Sequence, residues 1–363
     1  ENDREALSNV QKRVDNMKPT KDDVERIDRE GLYKDYESWP EQAEQAMKIV
    51  VDLKEREVDK IVYCGMGGSG CAGDIIQDLS FNKQDIPPIF VVKGYHLPNF
   101  VDSSTLVLAV SYSGETEETL TALEDALKRN CIVVGLSSGG RLEKICVENG
   151  IKHVKLGKAL TPRTALPSIL YSTLIILSKL GYELVSAYEL NNAIDTLRRV
   201  RSSIGVLNNL EMNEAKQIAY HLHDGYPIIY GTQEYRGVLI RFKNSLNENA
   251  KMHALVEVLP EACHNDIEAW YPSALNTRAL FILEERDVKL KKRFDTLMEL
   301  VEKAGSKYHI IYTKEDTLFK KLMSTLYLLE YTTLYLAVLR GIPPAPTPNI
   351  TLLKNRIRLH QQA

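Results

Sequence analysis

Lys60-Ile61-Val62-Tyr63-Cys64 runs without interruption into Gly65-Met66-Gly67-Gly68-Ser69-Gly70. An apolar, β-branched run that ends in a glycine cluster and then turns helical is the start of a strand–loop–helix unit. Such units, repeated, build a parallel sheet covered on both faces. The alternation does continue. Further runs of strand length lie at Ile89–Val92 and over 106–110, 132–136 and 153–156, with helical periodicity over 115–129 and 141–149. Residues 165–225 read as mostly helical. A second alternation follows, with strands at 227–230, 254–259, 278–283 and 308–312 and helices over 234–251, 288–304 and 317–340. Upstream, residues 1–55 read as amphipathic helix, broken at Trp39-Pro40 before a second helix. Gly341 and Pro343-Pro344-Ala345-Pro346-Thr347-Pro348 stop the last long helix. The order of elements repeats although the residues do not. The expectation is a pseudo-duplicated α/β protein, each half a parallel sheet flanked by helices in a flavodoxin-like three-layer sandwich. Its parts would be an N-terminal helical segment (1–55), a first α/β domain (56–160), a helical connection (161–225) and a second α/β domain (226–363).

Composition agrees with two ordinary cores. The chain has 363 residues, 44% hydrophobic and 26% charged, and a net charge of −3. That balance gives no electrostatic argument for nucleic acid or for an anionic membrane surface, so an anion site must be local. Five cysteines, with no CxxC pair, read as reduced thiols of a cytoplasmic protein rather than a disulfide framework. The N-terminus is polar and charged, unlike a signal peptide. Two long apolar stretches, 165–180 and 326–339, are interrupted by polar residues and read as buried core helices.

The glycine loop formally matches GxGxxG. A dinucleotide site would also need an acidic residue at the end of the second strand, about twenty residues on, to hold the ribose hydroxyl. Here that strand ends Val91-Val92-Lys93-Gly94, and Asp85 precedes it. The dinucleotide reading fails that test, and no cofactor is expected. What remains is a turn whose backbone can approach a ligand closely, at a helix start with free N–H groups, with the Ser69 hydroxyl beside it. A tight packing turn is the plain alternative.

After the third strand comes Ser111-Tyr112-Ser113-Gly114-Glu115-Thr116. Three hydroxyls at spacings of two and three can converge on one anion, with the first-turn N–H groups behind them. A simple N-cap needs only one. Phosphate binding is the better reading.

These two loops, with Gly73-Asp74 after the first and Glu117-Glu118-Thr119 after the second, resemble the archaeal-type bifunctional phosphoglucose/phosphomannose isomerases, which carry two sugar-isomerase (SIS) domains. Pro162-Arg163, Leu246-Asn247-Glu248-Asn249-Ala250-Lys251, His264-Asn265-Asp266-Ile267, and Thr347 with Lys354 follow in the same order. The resemblance runs from about Trp39 to the C-terminus. It implies a metal-independent isomerase that converts glucose 6-phosphate and mannose 6-phosphate to fructose 6-phosphate through an enediolate. By that similarity Glu248 is the base, Arg163 steadies the enediolate, and His264 and Lys354 assist ring opening. Gly67, Gly68, Ser69, Ser111, Ser113 and Thr116 hold the phosphate, and Thr347 lines the space in which the open chain turns. The histidine comes from the other protomer of a homodimer. Glu115 stands where the family often has Asn; it is expected to face solvent and complement a helix dipole. Cys263 lacks the Asn that often precedes the histidine.

The chemistry suits those residue types. One carboxylate between C1 and C2 can both remove and return a proton. A fixed guanidinium can stabilise oxyanions at those carbons. Histidine titrates near neutrality, as ring opening requires. Read without the family, each has a plainer role: Glu248 a solvated carboxylate at a helix end, Arg163 a surface charge in a linker. His264 would be a cap for a helix from Asp266, and Lys354 one of several bases on a terminal helix. His221-x-His223-Asp224 has no third ligand at diagnostic spacing and falls in a helical pattern, so no metal is expected. Two other functions remain open at this point. One is an amino-sugar phosphate isomerase or epimerase on the same fold. The other is a non-catalytic sugar-phosphate sensor, although residues 1–55 carry no basic stripe for DNA.

Overall fold

The Lys60–Cys64 run forms strand β1, and the glycine cluster that follows opens a helix. The computed structural model describes residues 19–271, 276–284 and 288–361; the helical reading of 1–18 lies outside them. Among the described residues, nine strands form two parallel sheets. The first comprises β1, β2 (Ile89–Val92), β3 (Thr105–Val110), β4 (Ile132–Ser137) and β5 (Lys152–Lys155), in spatial order 2-1-3-4-5. The second comprises β6 (Tyr226–Thr232), β7 (Leu255–Leu259), β8 (Thr277–Glu284) and β9 (Lys307–Thr313), in order 7-6-8-9. All of these strands overlap the runs read from the sequence. In β3 all six residues are buried, as expected for a central parallel strand sealed on both faces. Edge strand β5 instead exposes Lys152 and Lys155 around buried Val154, a composition that discourages pairing with another chain.

The first three helices of the described residues are short: α1 (Lys21–Ile27), α2 (Leu32–Glu37) and α3 (Trp39–Met47). Thr20 starts α1 with a reciprocal capping box to Asp23. Trp39-Pro40 marks a break as expected, with the proline in the first turn of α3 where its missing N–H costs nothing. Helix α4 (Gly67–Ser80) follows β1, α5 (Glu117–Lys128) follows β3, and α6 (Gly140–Glu148) follows β4. The connection is helical: α7 (Leu166–Lys179), α8 (Ala187–Ile204) and α9 (Glu214–Leu222). The segment 234–251, expected as one helix, is divided. Helix α10 (Arg236–Ser245) passes into a π-helical turn, Leu246–Ala250, which Lys251 ends at φ +53°. Helices α11 (Val288–Lys303), α12 (Leu318–Leu339) and α13 (Pro348–Gln361) complete the chain.

Apolar side chains from both sheets, among them Leu108, Leu136, Ile229, Leu280 and Ile311, belong to one continuous core with α7, α9 and α12. Smaller clusters cover the opposite faces, under α5 and α6 on the first sheet and under α11 on the second. Each sheet is thus the middle of three layers, as the α/β reading expected. Helix α12 is long and apolar enough to cross a membrane by composition, yet 94% of its apolar window is buried inside the protein. It is a core helix.

The two helices that follow the first strand of each sheet, α4 and α10, pack on each other. Their approach is close enough that a Cβ on Gly237 would lie 2.8 Å from the backbone nitrogen of Ile75. Across this seam Asp78 accepts from the Gly237 N–H at 2.5 Å and pairs with Arg236 at 3.1 Å.

Candidate active site

In a sheet ordered 2-1-3-4-5 the chain departs in opposite directions from β1 and β3, which leaves a crevice beyond their carboxyl ends where ligands bind. The glycine loop follows β1 and the hydroxyl loop follows β3, so both lie at that crevice. They are joined directly: the Tyr112 N–H donates to Ser69 Oγ at 3.1 Å.

Each turn has a steric reason for its glycines. Gly67 sits at φ +51° in the left-handed region. A Cβ on Gly68 would meet the Arg163 Cα and the Pro162 carbonyl oxygen at 3.0 Å, so the absent side chain is what lets that backbone approach. Gly114, at φ +69°, has the Gly139 carbonyl oxygen where its Cβ would be.

Among the hydroxyls, Ser111 Oγ is buried and donates to Thr116 Oγ1 at 2.8 Å. Ser113 is exposed, and its Oγ accepts from the Glu115 N–H at 3.2 Å. Thr116 is the N-cap residue of α5 but makes no side-chain cap bond, so its hydroxyl remains with Ser111. The first turns of α4 and α5 stand behind them, and the N–H groups of such turns suit an anion. Glu115 faces solvent, as expected. Its carboxylate serves a different helix from the one it precedes: it accepts from the Arg141 N–H at 2.9 Å and Arg141 Nε at 2.8 Å, at the start of α6. Hydrogen bonding to Arg141 holds its pKa below the usual value against the opposing effect of burial. Lys93, which fails the dinucleotide test, pairs with buried Asp74.

Arg163 is not the surface charge its linker position allows. It is 4% exposed, and nearly every donor is committed. Nε donates to Asn249 Oδ1 at 2.7 Å; the NH2 nitrogen donates to the carbonyls of Pro344 at 3.0 Å and Ala345 at 2.7 Å. The NH1 nitrogen alone faces the Glu248 carboxylate, at 3.4 Å. One guanidinium therefore joins three distant segments: the turn before α7, the π-helical turn and the proline-rich stretch. Thr347, two residues past Ala345, is half-buried at the end of that stretch.

Glu248 lies in the π-helical turn, its side chain 23% exposed. Such turns insert an extra residue and recur at functional sites. The turn is held by Lys251, whose Nζ donates to the Glu248 carbonyl and, at 3.3 Å, to the Pro344 carbonyl. Burial, with Arg163 nearby, pushes the Lys251 pKa down to about 8. Neither Lys251 nor Asn249 has a role assigned from the sequence, although both stand in the Leu246–Lys251 motif.

Two expected residues stand apart within the protomer. His264 is exposed at the end of a short turn, Glu261–His264; the next turn is capped by Asn265, whose Oδ1 accepts from the Asp266 N–H at 2.6 Å. Lys354 is exposed on α13. Among the described residues, neither is bonded to Arg163 or Glu248. His221, in α9, and His223, just past its end, turn to backbone carbonyls, of Ala279 at 2.8 Å and Tyr220 at 2.5 Å.

Comparison with known proteins places the chain in a family. Residues 211–357 match the model of the bacterial phospho-glucose isomerase C-terminal SIS domain. The chain is 31% identical over 336 residues to the bifunctional phosphoglucose/phosphomannose isomerase of Caldicellulosiruptor bescii, covering 90% of this chain and 98% of the relative. It is 30% identical to that of Aquifex aeolicus, with 91% and 97% covered. The fold is shared with hypothetical protein TT0462 of Thermus thermophilus, at a TM-score of 0.74 and 17% identity, with 99% of this chain and 97% of that one covered. With such identity spread over both sheets and the loops between them, the chain belongs to the bifunctional phosphoglucose/phosphomannose isomerase family of SIS-domain enzymes.

Proposed function

We propose that this isomerase interconverts glucose 6-phosphate and mannose 6-phosphate with fructose 6-phosphate, without a metal, by proton transfer through a cis-enediolate. The observation that carries the proposal is the pairing of Glu248 with a buried arginine beside the glycine loop. Gly67, Gly68, Ser69, Ser111, Ser113 and Thr116 take the phosphate at the first sheet's crevice. The sugar then extends past Gly68 toward Arg163, whose backbone abuts that glycine. Glu248 removes the C2 proton and returns it at C1. The NH1 group of Arg163 steadies the oxygens that gain charge, and remote phosphate contacts orient the reacting carbons. Thr347 lines the space in which the open chain turns, so that both C2 epimers can present their proton.

His264 and Lys354 open the ring, with His264 supplied by the second protomer of a homodimer. Its exposure supports that role, as do exposed Tyr271 nearby (88%) and Ile350, Leu352 and Leu353 on α13. The free cysteines, three of them buried, support a cytoplasmic setting.

Coupled assays test the reaction: fructose 6-phosphate forms from each aldose, and chelator leaves the rate unchanged. Failure with either aldose removes the dual specificity, and loss of activity in chelator removes the metal-free mechanism. Mixing inactive Glu248→Gln and His264→Ala proteins under exchange restores activity if His264 crosses the interface. No recovery, with exchange confirmed, overturns that arrangement.

A further inference from the structure

The residues that aim Arg163 come from the two ends of the chain. We infer that Tyr36 and Thr333 are positioning residues for the proposed reaction: a buried hydrogen-bond chain from Glu330 through Tyr36 to Asn249, closed by Thr333, has a single permitted polarity and so fixes the guanidinium opposite Glu248. This rests on the reading of Arg163 and Glu248 given above.

The chain begins at Glu330, which lies on core helix α12 with no exposed surface. Every contact of its carboxyl group is with a donor: Arg241 Nε at 2.8 Å and NH2 at 3.1 Å, Ser245 Oγ at 2.7 Å, and the Tyr36 hydroxyl at 2.7 Å. A carboxylate only accepts, so the one proton of the Tyr36 hydroxyl must point to it. Burial first, then the Glu330 charge, keeps that phenol protonated by raising its pKa well above the usual value. With its proton committed, Tyr36 can only accept from the next group. That group is Asn249 Nδ2, at 2.8 Å.

Thr333 takes the second amide hydrogen. Its hydroxyl donates to the Glu330 backbone carbonyl at 2.8 Å and accepts from Asn249 Nδ2 at 2.8 Å. Both amide hydrogens of Asn249 are thereby used, and its carbonyl oxygen has one direction left. It faces Arg163 Nε at 2.7 Å. A flipped amide would set N–H against N–H at Arg163 and turn its oxygen toward Tyr36, whose proton is already committed, a costly arrangement in a buried site.

The backbone around Arg163 is held by the same elements. Arg241 NH2 donates to the Arg163 carbonyl at 2.7 Å. Asp35, beside Tyr36, accepts from the Leu160 N–H and from Thr164 Oγ1, and Trp39 Nε1 donates to the Thr164 carbonyl at 2.9 Å. The α2–α3 corner thus grips the turn that carries Arg163 from one side while the Glu330 chain orients its side chain from the other. Misplacing a reacting group slightly costs far more in rate than in affinity, because phosphate contacts elsewhere still hold the substrate.

The test is steady-state kinetics of Tyr36→Phe and Thr333→Val, each removing one hydroxyl at constant shape, with Arg163→Ala as the control. Each of the first two lowers kcat on the order of ten- to a hundredfold, leaves KM for the sugar phosphate within about threefold, and keeps the wild-type far-ultraviolet dichroism. If Tyr36→Phe fails to fold, Thr333→Val carries the test alone. If both hydroxyl variants keep wild-type kcat while Arg163→Ala loses activity, the inference is wrong and the proposed site stands. A loss with KM rising in step also overturns the inference. Wild-type kcat in Arg163→Ala would remove the site reading itself.

Discussion

Arg163 Nε lies 2.7 Å from Asn249 Oδ1, across 86 residues of sequence. This bond connects the turn after the first sheet to the turn after α10, and it leaves only the NH1 nitrogen of Arg163 facing Glu248. An arginine with one uncommitted edge has a defined direction, which is what electrostatic stabilisation at a fixed point demands.

Glu248→Gln removes the proposed proton acceptor and keeps the shape. The expected result is a fall in kcat of roughly 10²–10⁴-fold, the usual span for general acid–base groups. Calorimetry with a non-reacting sugar phosphate should show little change in affinity, since the loops proposed to hold the phosphate are untouched. Near-normal turnover takes Glu248 out of its role.

Gly68→Ala places a methyl group 3.0 Å from the Arg163 Cα and the Pro162 carbonyl oxygen, and both are backbone. Neither can rotate away. A stability loss of about 1–3 kcal/mol, typical of overpacking, is expected by thermal denaturation. The kcat should fall with it as Arg163 moves. Unaltered stability and rate would show that the turn has room.

Lys251 has a pKa lowered to about 8 by burial and by Arg163. It is therefore charged at neutral pH and loses its charge as the pH rises through about 8, weakening its grip on the Glu248 and Pro344 carbonyls. An alkaline limb near pH 8 is expected in the rate profile. Lys251→Arg, which stays protonated, should move that limb upward; a limb that does not shift has another origin.

His221 is held neutral by burial, its pKa lowered from 6.5 to about 4 even though its bond to the Ala279 carbonyl opposes the shift. A depressed folded-state value means that the stabilisation is complete above pH 6.5 and is lost as the pH falls toward 4. The shift corresponds to about 3 kcal/mol at 1.36 kcal/mol per unit. His221→Gln, whose amide can still donate to Ala279, should flatten the loss of stability over that window in denaturant titrations. An identical slope in both proteins would place the acid sensitivity elsewhere.

The order of strands and helices was legible from periodicity alone because alternating units leave a local signal every few residues. The two loops after β1 and β3 were legible as turns because a position that needs glycine at φ +51° or +69° writes its requirement into adjacent residues. Family membership followed from short motifs of the same kind. The helix expected over 234–251 was legible only in part. Its π-helical end depends on Lys251 in a left-handed conformation and on bonds to Pro344, neither of which periodicity encodes.

The burial of Arg163 and the hydrogen bonds that link Asn249, Tyr36 and Glu330 were decided by tertiary structure. Tyr36 and Glu330 are 294 residues apart, and a hydrogen bond over that distance leaves no pattern in either neighbourhood. In the sequence Tyr36 is one aromatic on an amphipathic helix and Glu330 one acid in an apolar run. Only the shared core, which brings α2, α10 and α12 together out of water, obliges each buried polar group to find a partner and so gives the arginine its direction.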